Sequence, residues 1–454
     1  MTPYPEYKAT NLPWLPQIPA HWEISRAKNL YYKAARPVSD NAEVVTCFRD
    51  GQVTLRKNRR TSGFTESLKE IGYQGIAKGD LVIHVMDAFA GAVGVSDSDG
   101  KGTPVYSVCV AKDKGINNYY YAFIVREMAK RDFIQALYRG IRERSSDFRF
   151  EVFAAQSLPV PPAAEQEQIV RYLDSMTAKI NKLIRAKKKQ IALLQEQKQV
   201  IINQAVTKGL NPNAEMKDSG IDWLGQIPVH WTIKNFSKVA SIKSNLVKPE
   251  NYYDYPQVSP DKIEKHTGKL LPVISVKEAG IISNNHLFFK GQILYSKIRP
   301  LLNKVTIAPF DGLCSADMYP IETILETEYL KFFMLSTCFL YQIKQSGDRV
   351  KMPKINQEEM AKLEIVIPAR KEQKDIVCFI YEHWNQFDIV LQSLEKSIQT
   401  LSEYKNSLIA SVVTGQVDVR NIQVEDFDPA DLISETDDDP AEDDEQLQEE
   451  SEVE

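Results

Sequence analysis

The chain has 454 residues, more than one ordinary core accommodates, and about three domains is the natural expectation. With 43% hydrophobic and 26% charged residues it has a globular composition, and its longest apolar-leaning stretch, residues 81–95, is broken by His84 and Asp87 and too short to span a bilayer. The net charge of −5 hides an asymmetry: residues 421–454 hold 16 acidic side chains and no Lys or Arg, so residues 1–420 set 56 basic groups against 45 acidic ones, a balance that points to a polyanionic partner.

The N-terminus, Met1-Thr-Pro-Tyr-Pro-Glu-Tyr-Lys8, has no apolar run of the signal-peptide kind. The five cysteines (Cys47, Cys109, Cys314, Cys338, Cys378) are odd in number and never paired as C-x-x-C. Neither a disulfide framework nor a metal site is expected, and a reducing cytoplasm is the natural compartment. Residues 8–24 then read KATNLPWLPQIPAHWEI, the first of several motifs that recur. A variable region follows, giving a first domain over residues 1–160. Arg49, Arg56, Lys57, Arg59 and Arg60 crowd its polar stretch RDGQVTLRKNRRTSG. That composition suits phosphate clamps and guanine readout, and equally a solvated basic loop. Residues 79–89 form a more acidic, aromatic segment, and the region closes on a glycine-led basic one with Arg142, Arg144 and Arg149.

A proline-rich entry, LPVPPAAEQEQIV at residues 158–170, leads into a helix expected over residues 161–208. Leu173, Ile180, Lys187, Leu194 and Ile201 recur every seventh residue, with Ile169, Met176 and Leu183 at the alternate positions. This is a coiled-coil seam of about five heptads. Gly209 stands where a helix-ending glycine belongs, and residues 208–220 form a link.

The chain then repeats itself. Residues 217–233, KDSGIDWLGQIPVHWTI, match residues 8–24 at nine of 17 positions, including Trp14/Trp223 and His21-Trp22/His230-Trp231. The second domain, residues 209–366 with the link, offers Lys297, Arg299 and Lys304 after an expected strand at residues 292–295. It ends on Arg349, Lys351 and Lys354, which lie 207 residues beyond the Arg142–Arg149 segment. The entry IVIPARKEQKDIV at residues 365–377 repeats Pro161, Glu165 and Gln166 as Pro368, Glu372 and Gln373. The second helix, expected over residues 367–416, keeps the heptad register with Ile380, Phe387, Leu394, Leu401 and Leu408, and Gly415 closes it. Helices this long are marginal alone in water, so the two are expected to pack on each other. Two equivalent units related by a pseudo-twofold place them antiparallel, as a rod of about 60 Å. Residues 421–454 cannot bury enough apolar surface to order and are expected to be disordered.

The fold class is therefore α+β: two similar globular domains and two long helices in one internal repeat. Catalytic patterns are missing. There is no N/D-P-P-Y/F tetrapeptide with a glycine-rich cofactor loop and no G-x-x-x-x-G-K-S/T phosphate loop, and the histidines form no H-x-H or H-x-x-x-H pair. His21-Trp22 and His230-Trp231, with no carboxylate pattern nearby, read as packing corners.

In duplicated order, the I-P-x-H-W openings, the P-x-x-x-E-Q entries and the long helices with Val206-Thr207 and Val413-Thr414 near their ends resemble the specificity subunit of type I restriction–modification enzymes. The resemblance covers residues 1–420. It implies that each variable region is a target-recognition domain reading one half of a bipartite site in double-stranded DNA. It implies an antiparallel coiled coil that spaces the halves and docks two methyltransferase subunits, with two restriction/translocase subunits joining them. S-adenosylmethionine, ATP and Mg are then expected in those partners, and no cofactor in this chain. Two other readings stay open on the residues: the recognition subunit of a type II system with a bipartite target, and a coiled-coil adaptor that binds no DNA.

Overall fold

Leu81-Val82-Ile83 is apolar without interruption, the pattern of a strand covered on both faces. The computed structural model, which describes residues 2–39, 41–59, 72–137, 147–346 and 353–432, shows how. Leu81–His84 lies inside a four-stranded antiparallel sheet in the order Tyr31–Lys33, Tyr106–Ala111, Leu81–His84, Val93–Val95. Because side chains alternate along a strand, Leu81 and Ile83 enter the main core of the first half, while Val82, with Tyr106 and Val108, fills a second cluster on the other face. Helix Asn118–Lys130, capped by the Asn117 side chain, packs on the main-core side with Tyr120, Tyr121, Ile124, Val125 and Met128.

The second half repeats this sheet as Ala240–Ile242, Met318–Thr323, Ile293–Ser296 and Val305–Ile307, in the same order and sense. Ile293 and Tyr295 face its main core and Leu294 its satellite cluster. The duplication thus reaches into the regions whose sequences differ. A five-stranded sheet, from Leu246–Val247 to Ile274–Ser275, is added to this half.

The long helices run Ala163–Lys208 and Arg370–Val413, each beginning two residues after the entry proline, Pro161 or Pro368. The compact units divide within them: Met1–Lys187 with Lys396–Glu454, and Lys188–Glu395. Each unit therefore takes half of each helix, because helix ends are core material and are not exposed rods. In the first unit Ile169, Leu173 and Ile180 share a core with Leu408, Val412 and Val413, and Lys405 Nζ donates to Asn181 Oδ1 at 3.1 Å. In the second, Ile202 and Val206 share a core with Ile376 and Ile380, and Lys198 meets Asp388 at 2.6 Å. Paired positions move in opposite directions along the chain, so the helices are antiparallel.

Along the seam, Leu173, Ile180, Ile380 and Leu408 are buried, while Leu194, Ile201, Phe387, Leu394 and Leu401 are only half-buried, as a two-helix contact permits. One alternate position departs from the heptad. Leu183 is exposed, and Ile184 packs against the first core in its place. The seam thus steps by four residues twice, from Met176 to Ile180 to Ile184, while the series Ile180, Lys187, Leu194, Ile201 keeps its register.

The acidic segment also differs from expectation, since residues 421–432 are laid along the first long helix. Gln168 Nε2 donates to the carbonyls of Val419 and Ile422 at 3.0 and 2.7 Å, Ser175 Oγ to that of Glu425 at 3.0 Å, and Asn181 Nδ2 to those of Asp431 and Leu432 at 3.1 Å. Lys179–Glu425 at 2.6 Å and Arg185–Asp431 add ion pairs, while Ile422 and Val424 rest on the core. A row of polar side chains that binds main-chain carbonyls orders a strap whose own side chains argue against order. Residues 433–454 lie outside the described residues.

Candidate nucleic-acid interface

The motifs that recur in sequence are one contact in space, made once per half. Glu165, in the first turn of the first long helix, is buried and accepts from three donors: Trp22 Nε1 at 2.9 Å, His21 Nε2 at 2.8 Å and the Tyr4 hydroxyl. A carboxylate there also complements the positive end of the helix. Burial first, then the bond to Glu165, pushes the Tyr4 hydroxyl pKa well up, so it stays a donor. In the second half Glu372 takes Trp231 Nε1 at 2.9 Å and His230 Nε2 at 3.0 Å.

The neighbouring glutamines match as well. Gln166 accepts from Asn117 N at 2.9 Å and donates to Pro161 O at 2.9 Å, while Gln373 accepts from Glu326 N at 2.8 Å and donates to Pro368 O at 2.9 Å. Tyr120 Oη donates to Val413 O at 3.1 Å, and Tyr329 Oη correspondingly to Val206 O at 3.4 Å, with a second, shorter bond to Val366 O at 2.9 Å. The closing glycines complete each clasp. Gly415 (φ +72°) lies against Pro19 and Trp22, and Gly209 (φ +74°) against Trp231, where a Cβ would be both strained and crowded. His21 and His230 therefore do have carboxylate partners, supplied from more than 140 residues away. The clasp fixes a domain onto the start of one helix and the end of the other.

Held by this framework, the basic side chains of the first half lie mostly in exchangeable ion pairs. Arg49 meets Asp87 at 3.0 Å, Lys57 meets Glu43 at 2.6 Å, and Arg149 meets Asp147 at 2.6 Å, all largely exposed. Arg56 Nε approaches Thr46 Oγ1 at 3.4 Å. Arg59 is more enclosed, bonded to Asp50 at 2.7 Å and stacked 4.2 Å from the Phe48 ring centre. Arg60, Arg142 and Arg144 lie outside the described residues.

In the second half, distant residues converge. Lys297 and Lys354 flank Asp317 at 3.9 and 3.7 Å, Arg299 N donates to Pro353 O at 3.0 Å, and Ser296 N donates to Lys304 O at 3.0 Å. Arg299 (φ +42°) and Asn303 (φ +47°) hold that turn in the left-handed region, a strain concentrated in the basic loop. Arg349 and Lys351 lie outside the described residues. The segments that follow the basic residues of the two halves return to matching places all the same: Phe148 N donates to Val85 O at 3.1 Å, and Ile355 N to Lys297 O at 3.0 Å.

Exposed ion pairs contribute about 0–1 kcal/mol, so phosphate oxygens can replace the carboxylates at little cost. The sequence reading passed over Arg126, Lys130 and Lys405, which meet in the first unit. Only the i, i+4 spacing of Arg126 and Lys130 hinted at a shared face.

A family model described as the type I restriction modification DNA specificity domain matches residues 56–193 and 228–399. The EcoDI specificity subunit of a type I restriction enzyme from Escherichia coli is 31% identical over 277 residues, which cover 58% of this chain and 62% of that protein, less than two thirds of its length. Among solved structures, a chain from a study of complex assembly and conformational transition of the type I R-M system superposes with a TM-score of 0.64 at 12% identity, over 88% of this chain and 99% of that one. The HsdS subunit from Thermoanaerobacter tengcongensis gives 0.44 at 13% identity, over 88% and 98%. With two stretches that together span most of its length matched by that model, and the same clasp and sheet built twice, the chain belongs to the type I restriction modification DNA specificity family.

Proposed function

We propose that this chain is the sequence-specific recognition subunit of a type I restriction–modification complex. It reads a bipartite, asymmetric target in double-stranded DNA, one half-site per globular domain. The observation that carries this reading is the repeated framework with unlike surfaces: the same clasp and four-stranded sheet present differently composed basic loops in the two halves. Arg49, Arg56, Lys57, Arg59 and Arg149 in the first half, and Lys297, Arg299, Lys304 and Lys354 in the second, contact the duplex in this reading. The antiparallel helices space the half-sites and dock methyltransferase and restriction subunits. The chain itself is non-catalytic, and S-adenosylmethionine, ATP and Mg are bound by those partners, in the cytoplasm.

The test is to co-express the chain with a methyltransferase subunit in a host lacking other modification and to map methylated adenines. A split motif is expected, and exchanging residues 25–157 for another recognition domain changes one half of it alone. A complex that leaves DNA unmethylated and binds duplex with no salt dependence returns the chain to a protein-binding adaptor.

A further inference from the structure

In the first unit, Arg126 lies on helix Asn118–Lys130 with its guanidinium against the turn at Gly51, so close that a Cβ there would fall 2.2 Å from Nη1. Gly51 and Gly91, both near φ +90°, bring main chain up to this arginine. Arg126 makes no hydrogen bond or ion pair to any described residue, although its guanidinium has five N–H donors. One turn further on, Lys130 Nζ donates to Asn406 Oδ1 at 2.7 Å, which seats the helix against the second long helix beside Lys405. Lys405 in turn donates to Asn181 Oδ1 at 3.1 Å.

Both lysines thus have neutral partners, and the nearby carboxylates are already engaged. Asp50 is held by Arg59 at 2.7 Å and Glu127 by Arg131 at 2.7 Å. Burial first, then repulsion from Arg126, lowers the pKa of Lys130 and of Lys405, so the three cations feel one another. Residues Asn117 and Tyr120 correspond to Glu326 and Tyr329 by their matching bonds to Gln166 and Gln373 and to the carbonyls of Val413 and Val206. In that register Arg126 becomes Leu335, the last residue of helix Thr327–Leu335, which is fully buried. The framework itself accepts an apolar side chain at the place of Arg126. Asp50 is near enough to attract Arg126 and Lys405 but is itself bonded to Arg59, so the three cations leave an excess of positive charge in this half that an anion would balance.

Resting on the DNA-recognition reading, we propose that Arg126, Lys130 and Lys405 form a phosphate clamp, present in the first unit, that grips one backbone phosphate of the duplex where the recognition domain meets the spacer helix. A backbone contact positions the duplex and carries no base preference of its own. The clamp therefore sets affinity and register for the first half-site and leaves the recognised sequence alone.

The experiment uses the assembled complex with its methyltransferase subunit, with Kd measured for a duplex bearing the methylated motif and for a scrambled duplex over 50–200 mM KCl. Loss of one phosphate contact lowers the slope of log K against log salt by about 0.9. The R126Q/K130Q/K405Q variant is therefore expected to lose about 3- to 4-fold less affinity than the parent across that range, and to be weakened equally on both duplexes. Its methylated motif stays unchanged. K114Q, which removes an exposed charge elsewhere in the unit, keeps the parental slope. K405Q alone, on the half-exposed face of a helix, gives a partial decrease and guards against a misfolded triple variant. R126K, which keeps the charge, restores the slope. A parental slope in both the triple variant and K405Q overturns the clamp. A parent complex that binds no duplex overturns the recognition reading and the clamp with it.

Discussion

The two clasps share their chemistry but not their burial, which makes their energies separable. The Glu165 side chain is 5% exposed and Glu372 is 27% exposed. Replacing Glu165 by Ala orphans two buried donors, Trp22 Nε1 and the Tyr4 hydroxyl, while the half-exposed His21 turns to water. At roughly 1–3 kcal/mol for each buried unsatisfied group, the cost is about 4 kcal/mol. Replacing Glu372 by Ala orphans the buried Trp231 Nε1 alone, since His230 is 58% exposed, and costs about 2 kcal/mol. Amide hydrogen exchange reads local opening on peptides spanning residues 163–175 and 370–382. Protection is expected to fall about 1,000-fold at the first helix start in E165A, and about 30-fold at the second in E372A. Equal losses, or a larger one in E372A, would refute the argument from orphaned donors.

Three further outcomes follow from packing and charge. Leu173→Ala, at a fully buried seam position, is expected to cost about 3 kcal/mol in urea unfolding. Leu194→Ala, half-buried between two helices, should cost about 1 kcal/mol, and similar costs would contradict the graded seam. Burial pushes the Asp174 carboxyl up to about 6, and it has no bonding partner among the described residues. Its folded pKa thus exceeds the unfolded one, so stability is highest below the unfolded value and is lost as pH rises through the folded one. Asp174→Asn is expected to stabilise by at most about 3 kcal/mol at pH 8 and not at all at pH 3.5; an equal gain at both would exclude ionisation as the cause.

The features legible in the sequence are those written in local periodicity. Leu173 to Ile201 and Ile380 to Leu408 repeat every seven residues because a helix returns the same face to its neighbour, so the long helices could be read directly. Pro161, Pro368, Gly209 and Gly415 mark their ends for equally local reasons. The clasp was visible only as separate motifs, because His21 and Glu165 are far apart in the chain and no pattern between them records the contact. The repeated sheet was hidden for a different reason. A strand covered on both faces asks only for apolar side chains, so Leu81–His84 and Ile293–Ser296 need share no residue to do the same work. Composition misjudged residues 421–432, since the strap is held mainly through its carbonyls, which every sequence possesses. The convergence of Lys297 with Lys354 and of Arg126 with Lys405 likewise depends on long-range packing that no window of sequence contains.

Asp418 N donates to Thr2 O at 2.9 Å, just beyond the glycine that closes the second long helix. The covalent link after Gly209 has its counterpart there in a hydrogen bond. Main chain near residue 2 is thus tied to main chain near residue 418 within one compact unit, as the link ties the first long helix to the motif that opens the second half.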